Sequence, residues 1–265
     1  MDFSKHVLIF PHIPKTAGSS VGDSIVDTLG ADRCHRLRMQ KIENPRSSRA
    51  AELGVLAHEF MLKTAGHVTG RHYLLSKRTS PEAIGSARFP WGHFRIGEEP
   101  DTGRRPRYIT VVRDPVDRFL SYFHYRRDQL PTLIGNKTKH PLLDDNGEIP
   151  PTPMAYLEML ERRSAKNWQD PQVRYFSPEG TFEAAREVIE GRDIRVGSVA
   201  NLGSFLDTVA DDLGIEEIKL EHKNKGRSRS KAREALSADE KARISQYFSE
   251  DRKLYDYVIA ETGDG

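Results

Sequence analysis

Apolar positions in this chain fall into short runs, each followed by a polar turn and then a stretch of helical periodicity. Val7-Leu8-Ile9-Phe10, bounded by His6 and Pro11, is too short for a core helix and reads as a buried strand. A turn rich in Pro, Gly and Ser follows at Pro11–Ser20. Beyond it Val21, Ile25, Val26 and Leu29 recur at helical spacing, with Ser19 or Ser20 as N-cap and Gly30 as stop. The unit repeats at Tyr108-Ile109-Thr110-Val111-Val112, where Asp114 suits an N-cap and Pro115 the first helical position. Val116, Phe119, Leu120 and Phe123 then mark one face of a helix running to about Arg127. A third unit pairs the run Ile194–Val199 with a helix from about Leu202 to Leu213, closed by Gly214. Near the end, Ser237-Ala238-Asp239-Glu240 is a capping box leading a helix with Ile244, Tyr247 and Phe248. Strands alternating with helices predict an α/β fold, a doubly wound parallel sheet flanked by helices, in one domain spanning 1–265.

Composition narrows this picture. The 265 residues are 37% hydrophobic and 30% charged, enough apolar material for a packed core and too little net charge for a disordered chain. No window approaches the roughly 18 apolar residues of a membrane span, mean hydropathy is −0.64, and the first residues carry no secretory pattern. With one cysteine, Cys34, neither an internal disulfide nor a cysteine-based zinc site is available. A cytoplasmic protein is the expectation. The 41 Lys+Arg nearly balance 39 Asp+Glu, so no nucleic-acid partner is expected, yet the basic residues cluster. Residues 219–233 hold seven Lys/Arg against one acid, Glu221. This run is either a solvated loop or an anion site. A second group, Arg33, His35, Arg36, Arg38, Lys41, Arg46 and Arg49, either steers an anionic acceptor or is a solvated surface. Residues 131–153, with five prolines, two glycines and the sequon Asn136-Lys137-Thr138, read as a loop or lid.

Two turns carry chemistry. Between a strand and a helix N-terminus, backbone N–H groups and the helix dipole suit phosphate or sulfate. In the first turn Lys15 adds a mobile cation, Thr16, Ser19 and Ser20 add hydroxyls, and Gly18 permits close approach. The lysine precedes the glycine, so this is not a Walker A loop; the alternative is a turn whose serines merely cap. In the second, Arg113 leaves a strand end, where ligands bind in open α/β sheets, and Ser121 lies about two helical turns on. Together they suit a second phosphate; alternatively Arg113 pairs with Asp114 or Asp117 and Ser121 is simply exposed.

Pro14-Lys15-Thr16-Ala17-Gly18-Ser19-Ser20 resembles the 5′-phosphosulfate loop of sulfotransferases, above all the carbohydrate group with its Pro-Lys-Thr-Gly-Gly-Thr-Ser signature. Arg113-Asp114-Pro115-Val116-Asp117-Arg118-Phe119-Leu120-Ser121 resembles that family's 3′-phosphate motif. Trp91-Gly92-His93-Phe94 is similar to the His-Gly-His-Val segment of uronosyl 2-O-sulfotransferases. Asn167–Phe176 and Tyr247–Tyr255 resemble segments of bacterial members. Ala17 stands where the pattern has glycine, which asks for an ordinary backbone conformation there. Trp91 stands where it has the first histidine.

The resemblance implies a P-loop-NTPase-like sulfotransferase fold and a bacterial-type enzyme. Such an enzyme moves the sulfuryl group of 3′-phosphoadenosine 5′-phosphosulfate (PAPS) to a hydroxyl of a carbohydrate, glycolipid or other small acceptor, leaving 3′,5′-phosphoadenosine (PAP). Implied contacts to the nucleotide are Lys15, Thr16, Ala17, Gly18, Ser19, Ser20, Arg113 and Ser121, with Lys225, Gly226 and Arg227 in a basic loop covering the 3′-phosphate. Lys15 would stabilise the leaving phosphate and His93 would act as base, with Glu98 or Glu99 as the carboxylate alternative. His12 is expected to order the turn through a hydrogen bond, and His124 to face the cleft or solvent. No metal is called for. The competing expectations are a non-catalytic PAP or polyanion binder of the same fold and a nucleotide kinase. The acceptor contacts are expected in 31–88 and in a substrate loop or lid over 131–160.

Overall fold

The computed structural model describes residues 1–37, 86–99, 101–134, 143, 144, 146–163, 169–220 and 236–262, with side chains described to Asp128 in the helix ending at 134. Five strands form one sheet in the order β2-β3-β1-β4-β5: β1 His6–Pro11, β2 Cys34–Leu37, β3 Phe89–Gly92, β4 Arg105–Val112 and β5 Ile194–Ser198. Every pairing is parallel. The helices among the described residues are α1 Gly18–Leu29, α2 Pro115–Ile134, α3 Pro153–Arg162, α4 Phe182–Gly191, α5 Leu202–Leu213, α6 Ala238–Tyr247 and α7 Ser249–Glu261.

Strand alternation sends successive side chains to opposite faces, and the two faces build separate cores. Leu8, Phe10, Ile109 and Val111 pack with Val21 and Ile25 of α1 and with Phe205, Leu206 and Val209 of α5. Val7, Ile9, Tyr108 and Val112 pack on the other face with Ala185 of α4 and Leu254 and Val258 of α7. The doubly wound α/β expectation is therefore met. The chain leaves β1 toward one side of the sheet and β4 toward the other, so the carboxyl ends of these neighbouring strands flank a switch point, the usual ligand crevice of such sheets.

Several boundaries differ from expectation. Strands β2 and β3 escaped the sequence pattern because they are four residues long and Pro90 interrupts β3, where proline normally argues against a central strand. Gly92 ends β3 beside β2: a Cβ there would lie 2.0 Å from the Leu37 carbonyl oxygen. Helix α1 starts at Gly18 with Ala17 as its N-cap residue, so Ser19 and Ser20 lie inside the first turn and do not cap it. Helix α2 runs past Arg127 to Ile134. The stretch 131–160, expected as a substrate loop or lid, contains the last turn of α2 and most of α3. Thr152 caps α3 by accepting from Ala155 N at 3.2 Å, and proline at the helix start is a helix signal, not a loop signal. Tyr156, Leu157, Met159 and Leu160 of α3 pack with Phe119 and Phe123 of α2, Ile244 of α6 and Phe248 in a third apolar cluster. The Ser237–Glu240 capping box forms as expected, and at Phe248 the chain turns into the further helix α7.

Candidate functional site

The turn after β1 takes a shape that L-residues resist. Lys15 and Ala17 have φ of 73° and 62°, in the left-handed region that costs an ordinary residue about 1–2 kcal/mol. The expectation of an ordinary conformation at Ala17 is thus overturned: the alanine adopts the geometry that the family's glycine supplies freely. Thr16, buried, donates its hydroxyl to the Ile13 carbonyl at 2.8 Å and pins the turn. The N-cap residue of α1, Ala17, makes no side-chain cap hydrogen bond, and the backbone N–H groups at such a helix start suit an anion. The Lys15 ammonium lies 4.2 Å from the centre of the Tyr125 ring. Burial, reinforced by Arg113, Arg118 and Arg126, lowers its pKa to about 8.

Arg113 follows β4 directly. Its Nη1 donates to the Lys15 carbonyl at 3.5 Å, joining the two motifs. Its Nη2 lies 3.7 Å from Asp117, a loose contact with a half-exposed carboxylate. Asp114 does not pair with Arg113. It caps α2, accepting from Val116 N and Asp117 N at 2.9 and 3.0 Å, and meets Arg252 of α7 at 2.5 Å. Ser121 is half-buried and lies between Asp117 and Tyr125 on one i, i+4 row of α2, so it stands midway between the Arg113 and Lys15 contacts. Buried Arg118 donates through Nε to the Pro14 carbonyl at 3.1 Å, a second tie from α2 to the Lys15 turn.

A buried polar network lies behind Arg113. Gln172, fully buried, accepts from Arg113 N and donates to the Arg113 carbonyl, both at 2.9 Å. Asp251 of α7 accepts from Gln172 N at 2.8 Å and Val173 N at 2.9 Å, and it faces the Arg118 charge. Burial pushes its carboxyl up to about 7, while Arg118 and the amide donors pull the other way. Asp170 caps α7, accepting from Glu250 N and Asp251 N at 3.0 Å.

The third loop follows β3, on the other flank of β1. His93 Nδ1 lies 2.8 Å from the His12 carbonyl oxygen. A carbonyl only accepts, so Nδ1 carries the proton and a neutral His93 keeps its lone pair on Nε2. The His12 and His93 rings are 4.4 Å apart and tilted by 30°. Burial, and secondarily the charges of His93, Arg36 and Lys15, hold the His12 pKa well below the usual histidine value. Among the described residues the expected hydrogen bond is not made at His12 Nδ1, which is buried without a partner there. The ring orders the turn by packing. Gly18 lies against it so closely that a Cβ would come within 1.9 Å of the ring. Trp91, at the family's first histidine position, is buried, with the Arg36 guanidinium over its ring at 4.7 Å. A two-histidine arrangement exists nonetheless, with its second member, His12, drawn from the turn after β1.

The carboxylate alternatives are engaged elsewhere. Glu98 accepts from Arg95 N at 3.0 Å, and Glu99 accepts the Tyr108 hydroxyl and Gly97 N. His124 is half-buried against the Phe123 ring, edge to face. Lys225, Gly226 and Arg227, the rest of 221–235, the sequon at Asn136, and Arg38, Lys41, Arg46 and Arg49 lie outside the described residues. Among the described residues no three His, Cys, Asp or Glu side chains gather as a metal site, and no described helix is long and apolar enough to cross a membrane. Arg118, Gln172 and Asp251 were given no role by sequence reasoning. Gln172 and Asp251 lie in segments whose resemblance to the family was visible, but their pairing across about 80 residues was not.

The parallel α/β sheet thus carries two linked strand-to-helix turns at its switch point, with a histidine beside them. The model of the sulfotransferase family matches residues 1–176, and the chain belongs to that family. Among solved structures it is similar to mouse sulfotransferase SULT7A1 complexed with PAP, at 13% identity and a TM-score of 0.40, covering 94% of this chain and 65% of that one. The chain thus spans about two thirds of the length of that relative. No curated protein sequence matches it.

Proposed function

We propose that this sulfotransferase-family chain takes PAPS as its donor and transfers the sulfuryl group to a hydroxyl of a carbohydrate, glycolipid or other small acceptor. The observation that carries the reading is the convergence of three loops, after β3, β1 and β4, that bring His93, Lys15 and Arg113 to the carboxyl end of the sheet's central strands. The donor set fits the nucleotide: a cation at a strained turn, an uncapped helix N-terminus and an arginine after the neighbouring strand. Lys15 and the N–H groups of Thr16, Ala17, Gly18, Ser19 and Ser20 hold the 5′-phosphate and stabilise the charge that grows there as the sulfuryl group leaves. Arg113 and Ser121 hold the 3′-phosphate, and the family resemblance adds Lys225, Gly226 and Arg227. His93 Nε2 takes the proton of the attacking hydroxyl while the His12 carbonyl, bonded to Nδ1, fixes the ring and steadies the imidazolium.

Two measurements test the reading. Thermal melts with PAP, ATP and ADP separate donor classes: selective stabilisation by PAP is expected, and stabilisation by ATP without PAP would favour a kinase. PAP release from PAPS across a panel of hydroxyl-bearing sugars separates enzyme from binder. His93→Ala should lower transfer at least 100-fold with PAP affinity within twofold of wild type. Unchanged transfer would remove His93 from the mechanism.

A further inference from the structure

The Arg113 guanidinium can be aimed only if its main chain is held, and the structure assigns that task to Gln172: we propose that Gln172 is the positioning residue that lets the site favour a nucleotide bearing a 3′-phosphate over one without it. The inference rests on the reading that Arg113 binds that phosphate. A side-chain amide offers one acceptor and one donor in a fixed plane, and here both are spent on one residue, the Arg113 N–H and C=O, at 2.9 Å each. This two-point clamp fixes the peptide orientation on either side of the Arg113 Cα where the chain leaves β4. Gln172 is itself fixed, since it is 0% exposed and Asp251 receives its backbone N–H at 2.8 Å. Asp251 in turn sits in the first turn of α7, whose N-terminus Asp170 caps. The chain of support therefore runs from the last helix through Asp251 and Gln172 to the Arg113 main chain, and it meets the Lys15 turn through side chains at its two ends, the Arg113 Nη1 on the Lys15 carbonyl at 3.5 Å and the Arg118 charge that Asp251 faces. Arg118 holds that turn at the Pro14 carbonyl, a contact that does not involve Gln172. Loosening Gln172 should thus weaken the 3′-phosphate contact while sparing the 5′ side.

Calorimetric titration of PAP and of adenosine 5′-phosphate, which lacks the 3′-phosphate, tests this on the full chain. Wild type, Gln172→Met, Gln172→Glu, Arg113→Ala and the Gln172→Met/Arg113→Ala double variant are compared. Methionine keeps the length of glutamine without its polar atoms; glutamate, when ionised, keeps the acceptor and loses the donor. Both single Gln172 variants should bind PAP at least tenfold more weakly and adenosine 5′-phosphate within twofold of wild type. The double variant should bind PAP no more weakly than Arg113→Ala alone, because Gln172 acts through Arg113. An unchanged ratio of the two affinities in folded Gln172 variants, or additive losses in the double variant, overturns the proposal. Should Gln172→Met fail to fold, Gln172→Glu decides by the same ratio. Wild type that binds both nucleotides equally would instead refute the 3′-phosphate reading beneath it.

Discussion

Replacing Lys15 by methionine should make the empty protein more stable, although it removes the residue assigned to the chemistry. In the free protein Lys15 is half-buried among Arg113, Arg118 and Arg126, and its pKa falls from 10.5 to about 8. That lowering corresponds to about 3 kcal/mol, which solvent screening at a side chain still partly open to water reduces to about 1–2 kcal/mol. The sign follows from proton counts. Between pH 8 and 10.5 the unfolded chain binds the proton that the folded chain has lost, so stability rises with pH there. Below pH 8 the lysine is charged in both states and the full cost is present; above pH 10.5 it vanishes. Methionine keeps the apolar stem but gives up the contact of the ammonium with Tyr125, worth about 0.5–1 kcal/mol. Lys15→Met should therefore be about 1 kcal/mol more stable than wild type at pH 7, or a few degrees in melting temperature. At pH 10 the gap should close or change sign. Paired urea denaturations at the two pH values measure it. An equal difference at both values, or a less stable variant at pH 7, refutes the account of Lys15 as a cation held against its electrostatic preference. Saturating PAP should reverse the order, since wild type alone retains the ammonium proposed to bind it.

Other positions yield equally definite outcomes. Ala17→Gly relieves a φ of 62°, and the released strain of about 1 kcal/mol roughly offsets the greater entropy of the unfolded glycine chain. Urea midpoints should show equal or slightly higher stability, and a loss of about 2 kcal/mol would contradict the left-handed turn. Gly18→Ala drives a methyl into the His12 ring and should cost about 2 kcal/mol or more. Adding His12→Ser should recover much of that loss in a thermal melt, whereas additivity would mean that the clash lies elsewhere. Asp251→Asn removes the charge facing buried Arg118 and should cost about 3 kcal/mol, read by urea denaturation at pH 8, where the wild-type carboxyl is largely ionised.

Much of the fold was legible because three of its strand–turn–helix units carry local signals: a β-branched or apolar run, a polar turn and an apolar face at helical spacing. The short strands β2 and β3 were not, because four residues give no period to read and Pro90 points away from a strand. The Lys15 and Arg113 turns were legible for the same local reason. What the sequence concealed was pairing at a distance. His12 and His93 lie 81 residues apart and meet only because β1 and β3 are neighbours in the sheet. Gln172 lies 59 residues beyond Arg113, and a single glutamine in a loop announces nothing. Ala17 misled in the opposite way, since its identity implied an ordinary backbone while the surrounding turn imposed another.

The clamp on Arg113 also separates two notions of where this protein's site ends. The family match stops at residue 176, just beyond Gln172, yet the carboxylate that secures Gln172 belongs to a helix beginning at residue 249. A fragment cut at the boundary of the match would keep both the Lys15 and Arg113 turns in its sequence. It would lose β5, the neighbour of β4 in the sheet, as well as Asp251 and with it the buried anion facing Arg118. The stretch that the family match covers is thus braced by another stretch into which the match does not extend. Variation near residue 251 should accordingly be felt at residue 113.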